Sequence, residues 1–301
     1  MTDGLTKEIF QQKTLAHPCF HCGAGENARI HLPVAPKCNI QCNYCVRKFD
    51  CTNESRPGVT SRILRPQEAV ERFKAAREDI PNLTVVGIAG PGDALANWEE
   101  TQAVLSGIRA IDPDITFCLS TNGLLLPAYA PDLIRLGVTH ITVTLNAVDP
   151  SVGAQIYQFV DFMGTRYTGQ IGASVLLANQ LAGIKRMTNA GIVCKVNIVA
   201  IKGINDTHIE TIVQTVKELG VYMTNIIRHI PVEGSALAKQ PQMDRTELNG
   251  LRRRCEGHVR QMYHCRQCRA DAAGTLDSEA CGRYEALPAQ LREPAAHAPA
   301  V

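Results

Sequence analysis

The chain has no apolar run that approaches the roughly 20 residues of a membrane-spanning helix. Residues 1–15 are too polar for a secretory signal. Neither sign of charge is in excess: 31 basic and 29 acidic side chains leave a net charge of +2. No overall field therefore favours nucleic acid or an anionic lipid surface. We expect a cytoplasmic protein with no nucleic-acid partner and no membrane partner.

Cysteine, by contrast, is abundant. The 301 residues are 45% hydrophobic and 20% charged, as in ordinary globular proteins, yet they include 12 cysteines. In a reducing compartment such a number indicates metal binding or catalysis rather than disulfides. The cysteines crowd residues 19–51 and 255–281, and only Cys118 and Cys194 lie between these groups. The two groups can meet only if the fold brings its ends together.

Cys38, Cys42 and Cys45 have C-x3-C-x2-C spacing and follow an apolar, strand-like run. They are one thiolate short of saturating a four-iron cluster, which leaves one iron open to a non-protein ligand. The alternative is a partial zinc site or three unrelated thiols, but zinc usually has four ligands in paired C-x2-C knuckles. The pattern resembles the motif of radical S-adenosylmethionine (SAM) enzymes, in which SAM chelates the open iron.

Apolar β-type runs alternate with helical patterns through the middle of the chain. The sequence predicts strands at 30–35, 83–89, 115–120, 138–145, 192–201 and 222–230, and helices at 66–79, 97–111, 128–136, 171–190, 206–219 and 244–262. Asn205 or Asp206 is the predicted N-cap of the helix at 206–219, and Asp244 and Glu247 have capping-box spacing. Six units are too few for a closed eight-stranded barrel. The predicted fold is α/β, a partial (βα)6 TIM-like barrel of the radical SAM type.

This reading divides the chain into four parts. An N-terminal extension at 1–29 and a C-terminal helix with a Cys-x2-Cys segment at 244–285 carry extra cluster ligands, and the partial barrel occupies 30–243. The Ala- and Pro-rich residues 286–301 are predicted to be a disordered tail.

Polar residues and glycines follow the predicted strands, where a barrel of this type opens. The segment at 87–93 resembles the glycine-rich segment that holds the SAM amino group in the superfamily, although a tight turn would use the same residues. Tyr44 matches the position of an aromatic residue that packs near the adenine. Asparagines on or after the later strands could donate hydrogen bonds to the carboxylate or the ribose of SAM. Asparagines with a purely structural role would give the same sequence pattern. The predicted SAM-binding residues are Tyr44, Gly90, Gly92, Asp93, Ser120, Asn122, Asn146 and Asn197.

Other thiols and a histidine lie near both ends of the chain. His17 and Cys19 precede the first strand, and Cys265 and Cys268 follow the last helix beside His264. A C-x2-C pair near a histidine is also compatible with zinc. Cys118 is either a buried core thiol, which is the commonest environment of a single cysteine, or a ligand. Strand alternation places it on the same side as Thr116 and Ser120. Arg266 and Arg269 are candidates to offset the charge of clusters. Four thiols have no spacing argument: Cys22, Cys194, Cys255 and Cys281.

Six segments in the same order resemble the NifB family of nitrogenase-cofactor maturases, at 17–20, 34–45, 53–59, 87–93, 120–123 and 265–271. The resemblance extends over 14–274. It implies an enzyme with lyase- or transferase-type chemistry that fuses two [4Fe–4S] clusters into a carbide-centred eight-iron precursor of the nitrogenase iron–molybdenum cofactor. One SAM supplies the carbon as a methyl group, and a second is cleaved to a 5′-deoxyadenosyl radical.

The resemblance also implies a ligand set. Cys38, Cys42 and Cys45 hold the SAM-binding cluster, and Glu54 is a candidate proton acceptor or transient ligand whose alternative is a surface carboxylate. The implied ligands of the two auxiliary clusters are His17, Cys51 and Cys118 for one, and Cys19, Cys265 and Cys268 for the other. The expected cofactors are SAM and three [4Fe–4S] clusters.

The expected partners are an iron–sulfur cluster donor, an electron donor such as ferredoxin or flavodoxin, and carrier or scaffold proteins of nitrogenase assembly. Many family members continue into a NifX-like domain where this chain has its short tail, so we expect a separate cofactor carrier. Two alternatives stay open. One is another radical SAM maturase with auxiliary clusters, and the other is a non-catalytic iron–sulfur scaffold or zinc-stabilised binding protein.

Overall fold

The computed structural model describes residues 2–58, 60 and 62–277, so the predicted tail and Cys281 lie outside the described residues. Its helices are α1 (Thr2–Leu15), α2 (Pro66–Asp79), α3 (Trp98–Ile111), α4 (Leu126–Arg135), α5 (Pro150–Ile156), α6 (Gly169–Asn189), α7 (Ile209–Glu218) and α8 (Arg245–Glu256). Its strands are β1 (Ala28–His31), β2 (Ile40–Cys42), β3 (Leu83–Ile88), β4 (Thr116–Thr121), β5 (Val138–Thr144), β6 (Tyr157–Phe162), β7 (Thr165–Tyr167), β8 (Val193–Ala200), β9 (Met223–Arg228) and β10 (Ala273–Gly274). No helix in this part of the chain is long and apolar enough to span a bilayer.

The main sheet has seven strands in the order β10-β1-β3-β4-β5-β8-β9. All neighbouring pairs are parallel except β1 and β10, which are antiparallel. The six parallel strands coincide with the six predicted ones to within a few residues, and helices connect them. The α/β partial barrel is therefore confirmed.

Alternation along the strands separates two faces of the sheet. Apolar side chains such as Phe117, Ile141 and Val196 pack with the helices in the largest hydrophobic core, which also contains Cys194 and Cys255. The residues of opposite parity are mostly polar and face the concave side of the sheet. The strand register aligns them in three rows: His31, Gly87, Cys118 and His140; Ser120, Thr142, Lys195 and Met223; and Thr144, Asn197 and Asn225.

Local signals placed two helix boundaries well. Helix α2 has both predicted ends, with Pro66 in its first turn and the Glu68 carboxylate accepting from the Arg65 amide. The capping box of α8 is confirmed, because Asp244 and Glu247 exchange hydrogen bonds of 2.8 Å. However, α8 ends at Glu256, six residues before the predicted end, where glycine follows.

The predicted N-cap of α7 is wrong. The helix begins at Ile209, with His208 at the N-cap position. The Asn205 amide donates instead to the carbonyls of Asn146 and Val199, both at 2.9 Å. Asn146 follows β5 and Val199 lies in β8. The Asn205 side chain therefore bonds to these strands and is not available to cap α7.

Five unpredicted elements shape the site. Helix α1 packs under the sheet, where the Thr14 hydroxyl lies 3.0 Å from His140 Nε2. Strands β2, β6 and β7 form a separate antiparallel sheet in which Ile40 pairs with Val160. Strand β10 pairs with β1 through Arg29 and Gly274, and this pairing brings the C-terminal thiols to the N-terminal ones.

Candidate functional site

The cysteine triplet lies in the connection after β1, where β2 anchors it to β6. Cys42 and Cys45 are buried in an apolar cluster with Tyr44. The Gln41 amide donates to the Cys42 carbonyl at 3.0 Å and to the Cys45 carbonyl at 2.8 Å. One side chain therefore holds the loop that carries the three thiols.

Burial raises the pKa of the triplet thiols and would keep them neutral in the absence of a counter-charge. The pKa of Cys38 rises to about 11, with the Asp93 carboxylate adding to the effect of burial. The Cys45 pKa also rises through burial, and Arg47 opposes this rise through its charge and a hydrogen bond. Arg47 faces Cys38, Cys45 and Cys51 together. The thiols therefore suit a metal centre, which would stabilise their thiolate forms.

Tyr44 is fixed by two amides. Its hydroxyl donates to Asn53 Oδ1 at 2.5 Å and accepts from Asn146 Nδ2 at 2.7 Å. Asn146 in turn accepts from the Val199 amide at 2.8 Å. The His229 ring meets the Tyr44 ring edge-on, with centroids 6.1 Å apart. The predicted SAM-binding residues Tyr44 and Asn146 thus belong to one buried network.

The glycine-rich segment after β3 lies directly against the residues before Cys38. Gly90 has φ +131, in the region that favours glycine. A Cβ on Gly92 would lie 2.2 Å from the Lys37 carbonyl oxygen, so no other residue fits there without a shift of the backbone. The Gly92 amide donates to Ala35 at 2.6 Å. Gly92 therefore permits the close contact between this segment and the triplet loop.

Asp93 joins this segment to the end of β4. Its carboxylate accepts from the backbone amide of Asn122 at 2.6 Å and from the Thr121 hydroxyl at 3.0 Å. The same carboxylate caps the short 3-10 helix Ala94–Asn97. The Asn122 side chain lies 3.6 Å from Cys38 Sγ and donates to Asn39 at 2.6 Å. These hydrogen bonds hold both predicted residues next to the triplet.

One pocket is lined by most of the predicted SAM-binding residues. Gly90, Asn146 and Asn197 are not among its lining residues. Thr144 and Arg47 line it although the sequence did not predict them. Its lining includes Cys38, Cys42, Tyr44, Cys45, Cys51, Glu54, Gly92, Asp93, Ser120 and Asn122.

Glu54 lies between this pocket and the concave face of the sheet. Its carboxylate accepts from Asn197 at 3.0 Å and from Thr144 at 3.5 Å. Burial raises the Glu54 pKa to about 7, against the opposing effects of Lys195 and of a hydrogen bond from Ser120. A carboxyl group with such a pKa is suited to proton transfer near neutral pH.

A second group of thiols lies deeper in the half-barrel. Cys19, Cys118 and Cys265 share the charge of one buried lysine, Lys195. Burial is the main influence on Cys118 and raises its pKa to about 12. The Asn225 amide lies 3.3 Å from Cys265 Sγ. Cys118 thus faces inward, as its strand position predicted.

His17 lies beside this group. Its Nδ1 accepts from the Cys19 amide at 3.1 Å, and its buried Nε2 has no hydrogen-bond partner among the described residues. Its ring packs 4.7 Å from Phe20 and 4.9 Å from His140. Burial, with the charges of His140 and Lys195, holds its pKa well below the ordinary value. A neutral imidazole with one free nitrogen has the form that a metal ligand requires.

Cys268 and Cys51 are the remaining auxiliary candidates. Cys268 is buried, and the Arg29 guanidinium donates to its sulfur at 2.8 Å. Cys51 lines the triplet pocket, where it interacts electrostatically with Cys45, Cys38 and Cys42. The division of ligands between the two clusters therefore stays a prediction. Within residues 2–58, 60 and 62–277, no three His, Cys, Asp or Glu side chains converge on a single-ion site.

His31 is a candidate that the sequence predictions missed. A Cβ on Gly87 would lie 2.8 Å from the His31 ring, so glycine makes room for the imidazole. His31 Nδ1 lies 3.0 Å from the Arg269 carbonyl oxygen. Burial, together with the charge of Arg29, lowers the His31 pKa to about 4. The signal was present, because Arg29 and His31 are polar residues at alternate positions of a buried strand.

Comparison with known proteins agrees with this geometry. Residues 32–216 match the radical SAM superfamily. The chain is 45% identical over 298 residues to the FeMo cofactor biosynthesis protein NifB of Klebsiella pneumoniae, covering 97% of this chain and 64% of that protein. It is 46% identical over 273 residues to the NifB of Bradyrhizobium diazoefficiens, covering 89% of this chain and 55% of that protein. The chain thus spans little more than half the length of these relatives.

Among solved structures, the fold is similar to that of SuiB from Streptococcus suis. The TM-score is 0.58 at 14% identity, over 79% of this chain and 49% of SuiB. At this identity the similarity concerns the fold alone.

Proposed function

The chain belongs to the radical SAM superfamily, and from its similarity to NifB proteins we propose that it fuses two [4Fe–4S] clusters into a carbide-centred eight-iron precursor of the nitrogenase FeMo cofactor. Superfamily membership implies SAM and one [4Fe–4S] cluster as cofactors. The two further clusters are the proposed substrate. SAM is the proposed source of both the methyl carbon and the radical, which makes the chemistry of lyase and transferase type.

The triplet suits the SAM-binding cluster. Cys38, Cys42 and Cys45 provide three thiols at one pocket, and Arg47 provides a nearby positive charge. When bound, the cluster supplies an electron and an open iron for SAM. Tyr44 and the segment at Gly92 then define the walls of the SAM pocket. Their internal hydrogen bonds and close backbone contacts fix the positions of these residues relative to one another.

One observation carries the proposal beyond superfamily level. A second set of inward-facing thiols, Cys19, Cys118 and Cys265, surrounds Lys195 on the concave side of the same half-barrel. The row of Cys118 lies two residues before Ser120, which lines the SAM pocket, so the two sets are neighbouring layers. Substrate clusters held at the second set would lie within the reach of chemistry at the first.

Glu54 connects the two layers. It lines the SAM pocket, and it interacts electrostatically with Lys195. We assign it the acceptance of a proton released during methyl transfer or cluster fusion. Its pKa of about 7 makes both of its protonation states accessible near neutral pH.

The partners follow from the same proposal. Two substrate clusters require an iron–sulfur cluster donor, the SAM cluster requires an electron donor such as ferredoxin or flavodoxin, and the product requires a carrier or scaffold of nitrogenase assembly.

The test is anaerobic reconstitution of the chain with iron and sulfide, followed by dithionite and SAM. We expect about twelve iron atoms per chain, which corresponds to three four-iron clusters. We also expect both 5′-deoxyadenosine and S-adenosylhomocysteine, and a product that activates cofactor-free nitrogenase. Deoxyadenosine without S-adenosylhomocysteine would refute the methyl-transfer step and favour another radical SAM maturase.

Substitutions of single cysteines test which set of thiols serves SAM cleavage and which serves cluster fusion. Cys42→Ala should abolish SAM cleavage, whereas Cys118→Ala should abolish fusion and retain some SAM cleavage. Cys194→Ala is the matched control, because this thiol is buried in the helix-facing core. Fusion that survives in Cys118→Ala would remove Cys118 from the ligand set.

A further inference from the structure

We infer that Lys195 is a positioning residue for the auxiliary clusters, whose ammonium group donates to cluster or thiolate sulfur and raises the reduction potential of the cluster held there. The inference rests on the proposed function, because it takes the inner thiols to be cluster ligands. It adds a residue that the ligand motifs do not contain.

The ammonium group of Lys195 is buried without a strong acceptor. The residue is 5% exposed on the inner face of β8. Its Nζ has a single hydrogen-bond contact among the described residues, at 4.0 Å to the Met262 thioether, and it lies 4.7 Å from the centroid of the Phe20 ring. A thioether is a weak acceptor. A buried charge with so little compensation is costly, so the site favours an anion at this position.

The groups around Lys195 identify that anion. Cys19, Cys118 and Cys265 pack against the cluster of Phe20, Met223 and Met262, whose Phe20 and Met262 side chains Lys195 contacts. The same three thiols and the Glu54 carboxyl are the acidic groups that interact electrostatically with Lys195. A four-iron cluster bound by thiolates is negatively charged overall, and it becomes more negative on reduction. An adjacent ammonium group therefore stabilises the reduced form more than the oxidised form, which is how nearby charge and hydrogen bonds raise cluster potentials.

The other cations near the thiols have mainly different partners, although Arg29 also interacts electrostatically with Cys19 and Arg252 with Cys265. Arg47 faces Cys38, Cys45 and Cys51 at the SAM pocket. Arg29 donates to Cys268. Lys195 is the cation common to Cys19 and Cys118 within the barrel. Its removal should therefore change the auxiliary clusters and leave the SAM cluster nearly unaffected.

The alternative is a purely structural role, in which Lys195 only fills space between Phe20 and Met262. The two roles predict different outcomes. A structural residue would lower the stability of the metal-free chain when it is replaced, with no effect on potentials. An electrostatic residue would leave the metal-free chain as stable as before, or more stable, once the uncompensated charge is gone.

The experiment compares K195M, K195R and the surface control K185M after reconstitution with iron and sulfide. Lys185 is an exposed residue of α6. Iron content, thermal unfolding of the metal-free chains and potentiometric titrations followed by electron paramagnetic resonance are measured. In K195M the ratio of reduced to oxidised auxiliary cluster at a fixed potential should fall about tenfold, a shift of about 59 mV for one electron. K195R should remain within about threefold of the wild type, and K185M should not change.

Unchanged auxiliary potentials in a folded K195M would overturn the inference while the proposed function stood. Loss of auxiliary iron alone, with SAM-cluster iron retained, would support it. If K195M does not fold, K195R decides the question: it should keep the wild-type potential, and a tenfold fall there would overturn the inference. Wild-type protein that binds no auxiliary iron would instead refute the proposed function.

Discussion

Glu54 offers a measurement of the site that needs no cofactor. Burial raises its pKa to about 7 from an ordinary 4.5, so the folded chain holds a proton through a pH range in which the unfolded chain has lost it. Stability should fall as the pH rises through this window, because the folded state then binds more protons than the unfolded state. At about 1.4 kcal/mol per pKa unit the upper limit is about 3 kcal/mol, and because the side chain is partly exposed we expect about 1–2 kcal/mol.

The assay is urea unfolding of metal-free wild type and Glu54→Gln at about pH 5 and about pH 8. The variant should gain stability relative to the wild type as the pH rises. The difference between the two proteins is the quantity of interest, since His17, His31 and His140 act in the opposite direction. Their lowered pKa values make stability rise with pH up to the unfolded value of about 6.5.

Glu218→Gln is the matched control, because Glu218 is an exposed carboxylate at the end of α7. Its effect on stability should be small and nearly the same at both pH values. If the Glu54→Gln difference is independent of pH, or decreases as the pH rises, the carboxyl group is not held in the protonated form by its surroundings. Its proposed role as a proton acceptor near neutral pH would then lose its physical basis.

Two further predictions concern the walls of the SAM pocket. Gly92→Ala would place a methyl group 2.2 Å from the Lys37 carbonyl oxygen, so thermal unfolding should show a loss of at least ~3 kcal/mol, together with loss of SAM-cluster iron. Gly250→Ala in α8 is the control, because the added methyl group meets only a side-chain atom at 4.0 Å, and its stability should increase by about 0.5–1 kcal/mol. Tyr44→Phe should cost about 1–3 kcal/mol, because it removes the partner of two buried amides, and it should weaken SAM binding in a direct binding assay; unchanged stability would contradict the network.

The sheet could be predicted because its signals are local. Each parallel strand is a buried run with apolar residues at alternate positions, and each following helix has its own periodicity and, in α2 and α8, its own cap. The failures have long-range causes. Asn205 is claimed by carbonyl groups from other parts of the chain, and β10 is a two-residue strand that exists only because β1 offers a free edge.

The two layers of the site differ in the same way. The triplet could be predicted from the sequence because its three thiols lie within eight residues of one another. Cys118 followed from strand parity. The approach of Cys19 to Cys265, by contrast, depends on the folding of both chain ends onto the sheet, and no spacing rule describes it. His17 and Cys51 each lie close in sequence to another predicted ligand, yet only the tertiary structure shows which thiols each one faces.

The positive charges of the site were the hardest part to foresee. Arg266 and Arg269 were expected to offset cluster charge because they flank Cys268, but Arg266 pairs with the exposed Asp277 and Arg269 with the buried Asp271. Arg47, two residues after Cys45, does face thiols, so proximity in sequence alone does not identify a counter-charge. Two other cations that face thiols, Arg29 and Lys195, come from strands where a buried charged residue breaks an apolar run. Such breaks are therefore a second guide to counter-charges, beside proximity in sequence.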